Sequence, residues 1–231
     1  MIRYFTSWYL EKNEDRRNEL ITCIQKCCDS LDIDKVYLIC EAPAPFVHEK
    51  MIEVPSATRY SFADFFLIMN AVSESNDLCL LANTDIYPAA NMRQLLESLK
   101  PHQAWCLSRW DTVHGNTEPV HFNRSDSQDI FCVRHPIKKI DANFLIGWCG
   151  SDNKICYQLQ EAGYEVSNPS KDVKFIHYHL TGSHNYDPAK HTVPSPYLLI
   201  HPSHLNDRVD TRILSVQPTI YNPITPQMRG Q

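Results

Sequence analysis

The chain has 231 residues, of which 43% are hydrophobic and 21% charged, a balance typical of a soluble globular protein with one large or two small domains. Its formal net charge of -5 at pH 7 argues against a nucleic-acid partner, which would favour a basic surface. About 18 apolar residues never occur in succession, so the sequence predicts no transmembrane segment.

The first half of the chain alternates short apolar runs with amphipathic segments. Strands are predicted at residues 2–8, 35–40 and 77–82, the last two of them buried, and residues 52–55 give a brief extended piece. Helices are predicted at residues 11–31, after Ser61 as N-cap, and at residues 91–99.

The second half has a looser pattern. Strands are predicted at residues 104–108, 130–133 and 173–179, and a helix at 151–162. Residues 111–126 are polar and indicate a loop. Beyond Thr181 the chain is rich in proline and has no clear periodicity.

This order of elements predicts the fold class. Strands that alternate with helices form a mainly parallel, twisted sheet covered by helices on both faces, here with a mixed second half. In such α/β sheets ligands bind at the carboxyl ends of the strands. We therefore expect functional residues directly after strands.

The first such site follows the apolar run at residues 77–82, where the chain reads Asn83-Thr84-Asp85. A carboxylate at a strand end offers an oxygen ligand to Mg²⁺ or Mn²⁺. The alternative is that Asp85 only caps its own turn.

The second is Gly150-Ser151-Asp152, at the start of a predicted helix. The helix N-terminus is expected to keep the Asp152 carboxylate ionised, so that it can take a proton from an acceptor hydroxyl. The alternative is an ordinary N-cap at Ser151 followed by a favourable first-turn charge.

The third is a pair of histidines, His177 and His179, which strand alternation places on one face, where they suit a metal or a phosphate. Two weaker signals are Arg59, at a helix start that could meet a diphosphate, and Asp129, in a polar triplet before a strand. A surface loop is the alternative for both.

The nine cysteines mostly lie in apolar runs and contain no Cys-x-x-Cys pair, so a zinc site is not expected. Residues 1–14 lack the basic start and apolar core of a signal peptide. We therefore expect buried free thiols and a cytoplasmic location.

The segments NTDIYP, SRWD, NRSDSQDIF, GWCGSDNKI, EAGYEVSNPS and KFIHYHLTGSHNY, in this order, resemble GT-A glycosyltransferases. The nearest likeness is to the GT-A domains of chloroviruses, which are large DNA viruses, and of their bacterial relatives. It covers roughly residues 1–187. The resemblance implies a nucleotide-sugar donor, a carbohydrate acceptor, an Mn²⁺ or Mg²⁺ ion, and the cytosol of a bacterium or an infected cell.

The resemblance also implies residue roles. Asp85 occupies the second position of the family's DxD motif, and Asn83 replaces the first aspartate. Asp152 matches the catalytic base, with Asp129 as the next carboxylate to consider, and His177 or His179 completes the metal site. The implied donor and nucleoside residues are Thr6, Ser7, Tyr9, Glu41, Arg59, Asn83, Thr84 and Asp85. The implied sugar and acceptor residues are Trp110, Asp111 and Trp148.

From this likeness we predict a metal-dependent, inverting glycosyltransferase that uses a UDP-sugar, as one module of a larger glycosylation protein. Its domain would cover residues 1–187, with a nucleotide half at 1–88 and an acceptor half at 89–187, and 188–231 would be an extension. The alternatives are a sugar-1-phosphate nucleotidyltransferase, which would carry a glycine-rich loop where this chain has residues 5–9, a non-catalytic nucleotide- or glycan-binding module, and a metal hydrolase.

Overall fold

A computed structural model describes residues 1–182 and 191–215. Their helices are α1 Glu14–Asp29, α2 Phe62–Val72, α3 Arg93–Glu97 and α4 Ser151–Glu161. Their strands are β1 Ile2–Trp8, β2 Lys35–Cys40, β3 Met51–Pro55, β4 Leu78–Ala82, β5 Ile86–Pro88, β6 Gln103–Leu107, β7 Trp110–Asp111, β8 Val120–His121, β9 Ile130–Arg134, β10 Glu165–Ser167, β11 Phe175–His177, β12 Tyr197–Ile200 and β13 Thr211–Leu214.

The centre of the molecule is a seven-stranded sheet with the order β10-β6-β9-β4-β1-β2-β3. All its neighbours run parallel except β9, which is antiparallel to both β4 and β6. The predicted fold class is therefore confirmed: the α/β half of the sheet is parallel, and the second half is mixed.

The centre of the sheet is buried on both faces, because β2 and β4 carry apolar residues at nearly every position. Tyr4 and Leu80 point into the cluster that includes apolar residues of α1. Their neighbours Phe5 and Leu81 point into the opposite cluster, with those of α2 and α4. Alternation along each strand thus builds two cores, and the helices cover them as outer layers.

The helix starts follow local capping. Asn13 accepts a hydrogen bond from the Arg16 amide, so α1 begins at Glu14 and not at residue 11 as predicted. Ser61 caps α2 as predicted, and Asp64 bonds back to it in a capping box. Gly150, not Ser151, is the N-cap residue of α4; its φ of 75° is a conformation that glycine adopts without a Cβ penalty.

A second sheet, with the order β5-β11-β7-β8, lies beside the end of β4. The predicted strand at 173–179 is shorter, and it pairs here with β5 and β7 instead of joining the large sheet. Within the predicted loop at 111–126, the structure has the end of β7 and the short strand β8.

The described residues 191–215 also contribute to the core. β12 and β13 form an antiparallel pair, and Leu198 and Ile200 of β12 are buried in the same cluster as α2 and α4. The predicted boundary between residues 187 and 188 lies outside the described residues, as do residues 188–190 and 216–231 of the predicted extension. That division of the chain stays a prediction.

None of the nine cysteines is in a disulfide, and eight are buried, as the sequence predicted; Cys149 is half-buried. Over the described ranges, every helix is too short or too polar to span a lipid bilayer.

Candidate active site

The turn that carries Asp85 is fixed to the edge of the large sheet. The Thr6 hydroxyl donates to the Ala82 carbonyl at 2.9 Å, and the Thr84 hydroxyl donates to the Ser7 carbonyl at 2.8 Å. Both hydroxyls therefore connect the end of β1 to the end of β4, which sets the position of Asp85. Thr6 and Thr84 are buried in these contacts.

Asp85 meets the two predicted histidines. One ligand atom from each of Asp85, His177 and His179 can be chosen so that all lie within 4.8 Å of one another. His177 Nε2 is 3.2 Å from Asp85 Oδ2, and the two imidazole rings lie edge to face, 5.4 Å apart. Residues that are far apart in sequence thus form a possible metal site.

The surroundings change the pKa of each of these three residues in a different way. Burial raises the pKa of Asp85, but the His177 and Arg16 charges outweigh burial and hold it well below its ordinary value. Burial lowers the pKa of His177, yet Asp85 and Asp111 raise it to about 9. Burial, with the charges of Arg16 and His177, lowers the pKa of His179 to about 4, so its ring is neutral at pH 7.

The donor set fits a divalent ion. Asp85 offers a carboxylate oxygen and the neutral His179 an imidazole nitrogen, and His177 would add a second nitrogen once its Nε2 proton is released. Such a set suits transition ions such as Mn²⁺ better than Mg²⁺, an ion that prefers oxygen alone. Asp111 Oδ1 lies 2.8 Å from His177 Nδ1, which is the carboxylate contact that commonly orients a metal-binding imidazole.

Two residues of α1 complete this end of the site, and sequence reasoning missed both. The Arg16 guanidinium donates to Asp85 Oδ2 and, at 2.8 Å, to Glu19 Oε2. Glu19 also accepts hydrogen bonds from the backbone amides of Leu180 and Thr181, both at 2.8 Å. A signal was present: Arg16 shares its helix face with the buried Leu20, and a buried cation needs a carboxylate partner.

Arg109, within the SRWD segment, links the metal-site candidates to Asp129. Its guanidinium donates to Asp111 at 2.7 Å and to Asp129 at 3.0 Å. Asn83 Nδ2 also donates to Asp129, at 3.0 Å. Asp111, predicted in the sugar or acceptor pocket, thus lies between His177 and Arg109, in a chain of ion pairs that runs from Asp85 to Asp129.

Asp152 is not ionised in the way the sequence predicted. It lies in the first turn of α4 and accepts a long hydrogen bond, 3.3 Å, from the backbone amide of Gln128, which precedes β9. Burial, followed by the charge of Asp129, raises the pKa of Asp152 to about 7 and outweighs the backbone hydrogen bonds that lower it. The predicted effect of the helix N-terminus is therefore smaller than the cost of desolvating the carboxylate.

The other predicted nucleoside residues lie at the ends of β1 to β3. The Ser7 hydroxyl is 3.3 Å from the Thr84 hydroxyl, and Tyr9 packs against the core on the α1 side. Glu41 follows β2 and is exposed, as is Arg59, whose guanidinium lies against the Cα of Gly147. Their proposed roles stay predictions.

The two predicted tryptophans are placed differently. Trp148 borders a cavity of about 360 Å³. The other residues that border it are Ser61, Asn143, Phe144, Leu145, Thr192, Val193 and Pro194. Trp110 lies in the small sheet, where its indole donates to the Ser170 carbonyl at 2.8 Å and stacks near His121.

No protein-family model matches the chain. A sequence comparison with curated proteins finds no match either.

Solved structures are similar in fold. GalNAc-T7, solved with UDP, GalNAc and Mn²⁺, has a TM-score of 0.54 at 12% identity, over 84% of this chain and 46% of its own. A mannosyltransferase from Pyrobaculum calidifontis, solved with GDP-Man and Mn²⁺, has a TM-score of 0.48 at 11% identity, over 78% of this chain and 58% of its own. A Francisella tularensis 2-C-methyl-D-erythritol 4-phosphate cytidylyltransferase has a TM-score of 0.39 at 14% identity, over 58% of this chain and 73% of its own.

Of these three, GalNAc-T7 alone exceeds a TM-score of 0.5, and at 12% identity the likeness shows the fold only. The chain spans about half the length of the two glycosyltransferases. The sheet and its likeness to GalNAc-T7 define the fold as the GT-A fold. The predicted likeness to chlorovirus domains in particular stays a prediction.

Proposed function

We propose that the chain is a glycosyltransferase that moves a sugar from a nucleotide-sugar donor, a UDP-sugar by preference, to a hydroxyl of a carbohydrate acceptor. The observation that carries the proposal is the joint placement of Asp85, His177 and His179 at the end of β4 in a GT-A sheet. A chain of ion pairs leads from this group to Asp129, whose charge acts on Asp152. A metal-ligand set and a titrating carboxyl are what a direct sugar transfer needs.

The proposed metal site would hold Mn²⁺, with Mg²⁺ as the weaker alternative. Asp85, His177 and His179 would be its ligands, and Asp111 would keep the His177 ring in position. Such an ion, when bound, supplies positive charge that stabilises the departing diphosphate.

The general base would be Asp152. A carboxyl whose pKa is about 7 is half ionised at neutral pH, and it is a stronger base than an ordinary aspartate. Asp152 would accept the proton of the acceptor hydroxyl while that oxygen attacks the anomeric carbon, which inverts its configuration. Asp129 would act by its charge, because Arg109 and Asn83 already occupy its oxygens.

The binding surfaces follow from position. The nucleoside would be bordered by Ser7, Tyr9, Glu41 and Arg59 and by the turn formed by Asn83, Thr84 and Asp85. Thr6 would hold that turn in place, because its hydroxyl ties β1 to the end of β4 just as the Thr84 hydroxyl does. The cavity beside Trp148 is large enough for a sugar unit, and an exposed indole face can pack on a sugar ring. Trp110, in the small sheet, would border the sugar or acceptor pocket.

The test is the release of nucleoside diphosphate from UDP-, GDP- and dTDP-sugars with and without Mn²⁺, first by hydrolysis and then with glycan acceptors. Asp85→Asn should abolish release, whereas Asp141→Asn, which changes an exposed carboxylate, should not. A protein that instead makes pyrophosphate from a nucleoside triphosphate and a sugar 1-phosphate would be a nucleotidyltransferase. Donor binding without any turnover would indicate a binding module.

A further inference from the structure

The Asp85 carboxylate already has a protein cation on its ligand oxygen. Asp85 Oδ2 accepts hydrogen bonds from the Arg16 guanidinium and, at 3.2 Å, from His177 Nε2. The side chains of Arg16 and Asp85 are 8% and 13% exposed, so water screens this pair weakly. The proposed metal-ligand set takes an oxygen of this same carboxylate, so Arg16 and a divalent ion compete for Asp85.

We propose that Arg16 is a built-in competitor of the divalent ion, so that the ion binds Asp85 only by displacing the guanidinium. The proposal rests on the proposed function, because that function assigns the ion to Asp85. It adds a residue that sets the affinity of the site for the ion, and this residue comes from α1, outside the ligand set.

Arg16 is held in place from several sides and is not a mobile surface charge. Its guanidinium donates to Glu19 at 2.8 Å and reaches the Tyr178 carbonyl at 3.4 Å. Glu19 in turn binds the amides of Leu180 and Thr181, directly after the histidine pair. Moving the guanidinium away from Asp85 would therefore also disturb its contacts with Glu19 and with the Tyr178 carbonyl.

The competition has a measurable size. A hydrogen bond between charged groups contributes about 1.5–3 kcal/mol, which corresponds to roughly 10- to 100-fold in affinity. Removing the guanidinium should therefore tighten the binding of Mn²⁺ alone by roughly that factor.

The experiment counts free Mn²⁺ by electron paramagnetic resonance as the ion is titrated into the protein without nucleotide. The variant is Arg16→Met combined with Glu19→Gln, because an unpaired Glu19 carboxylate would itself attract the ion. If this variant does not fold, Arg16→Gln with Glu19→Gln carries the same expectation. The matched control is Arg17→Met, on the same helix, whose guanidinium donates to the Glu11 carbonyl at 3.0 Å.

We expect the double variant to bind Mn²⁺ about 10- to 100-fold more tightly, the control to match the wild type, and Asp85→Asn in the double variant to remove the gain. Equal or weaker binding by a folded double variant would overturn the proposal. That failure is separate from a failure of the proposed function, since the release of nucleoside diphosphate by the wild type is measured independently of these affinities.

Discussion

The raised pKa of Asp152 predicts how the free energy of unfolding changes with pH. Burial and the charge of Asp129 raise this pKa from 3.8 to about 7. The folded protein therefore keeps a proton that the unfolded chain has already released between these two values. A group whose pKa is raised on folding favours the folded state at low pH, and for a carboxyl this contribution is lost as the pH rises from about 4 to about 7.

The loss can be worked out for two values of pH. For a carboxyl that titrates at 3.8 when unfolded and at about 7 when folded, the free energy of unfolding falls by about 2–3 kcal/mol between pH 5 and pH 8. Asp152→Asn has no such proton to lose. Its packing cost does not depend on pH, so the difference between variant and wild type isolates the titration.

The assay is urea unfolding of the wild type and of Asp152→Asn at pH 5, 6, 7 and 8. Relative to the wild type, the variant should gain about 2–3 kcal/mol from pH 5 to pH 8. Asp141→Asn, on the surface, should show no gain. Unfolding free energies of wild type and Asp152→Asn that stay parallel across the range would refute the argument that burial of this carboxyl controls its proton.

Asp152 is also the proposed general base, so its replacement should change the rate of the reaction. Loss of a general base should lower kcat of Asp152→Asn about 10²- to 10⁴-fold while donor affinity stays nearly constant. Asp129→Asn should lower the pKa of Asp152, because it removes a nearby negative charge, and should move the acidic limb of the kcat profile to lower pH. The product should have the anomeric configuration opposite to that of the donor by NMR. Retention, or near-normal turnover of Asp152→Asn, would contradict the assignment.

Three further predictions concern other parts of the site. Asp85→Ala should remove the Mn²⁺-dependent part of donor binding in calorimetry, and unchanged affinity would exclude the metal assignment. Arg59→Ala should weaken donor binding by about 1.5–3 kcal/mol without lowering the melting temperature, and a lower melting temperature with intact binding would make Arg59 structural. Gly150→Ala should cost about 1–2 kcal/mol in chemical unfolding, because its φ is 75° and an added Cβ would lie 2.8 Å from the Tyr197 hydroxyl oxygen; an unchanged midpoint would contradict this.

The sequence by itself determined the local elements and their class. Strands β2 and β4 are apolar at successive positions, and only a strand covered on both faces buries all of those side chains. Ser61 and Asp64 specify the start of α2 through contacts three residues apart. Asp85, His177 and His179 were found as candidates because each follows or ends an apolar run, where the edge of an α/β sheet must be.

Only the tertiary structure decided the partners. That β9 runs antiparallel between β4 and β6 depends on pairing between strands that are distant in the chain. The pairing of Arg16 with Asp85 joins residues that are 69 positions apart. The pKa of Asp152 shows the reason most directly: local sequence indicated an ionised carboxylate at a helix start, but burial by distant segments and the charge of Asp129 raise the pKa to about 7. Desolvation and long-range charge depend on which segments pack together, and a local pattern does not contain that information.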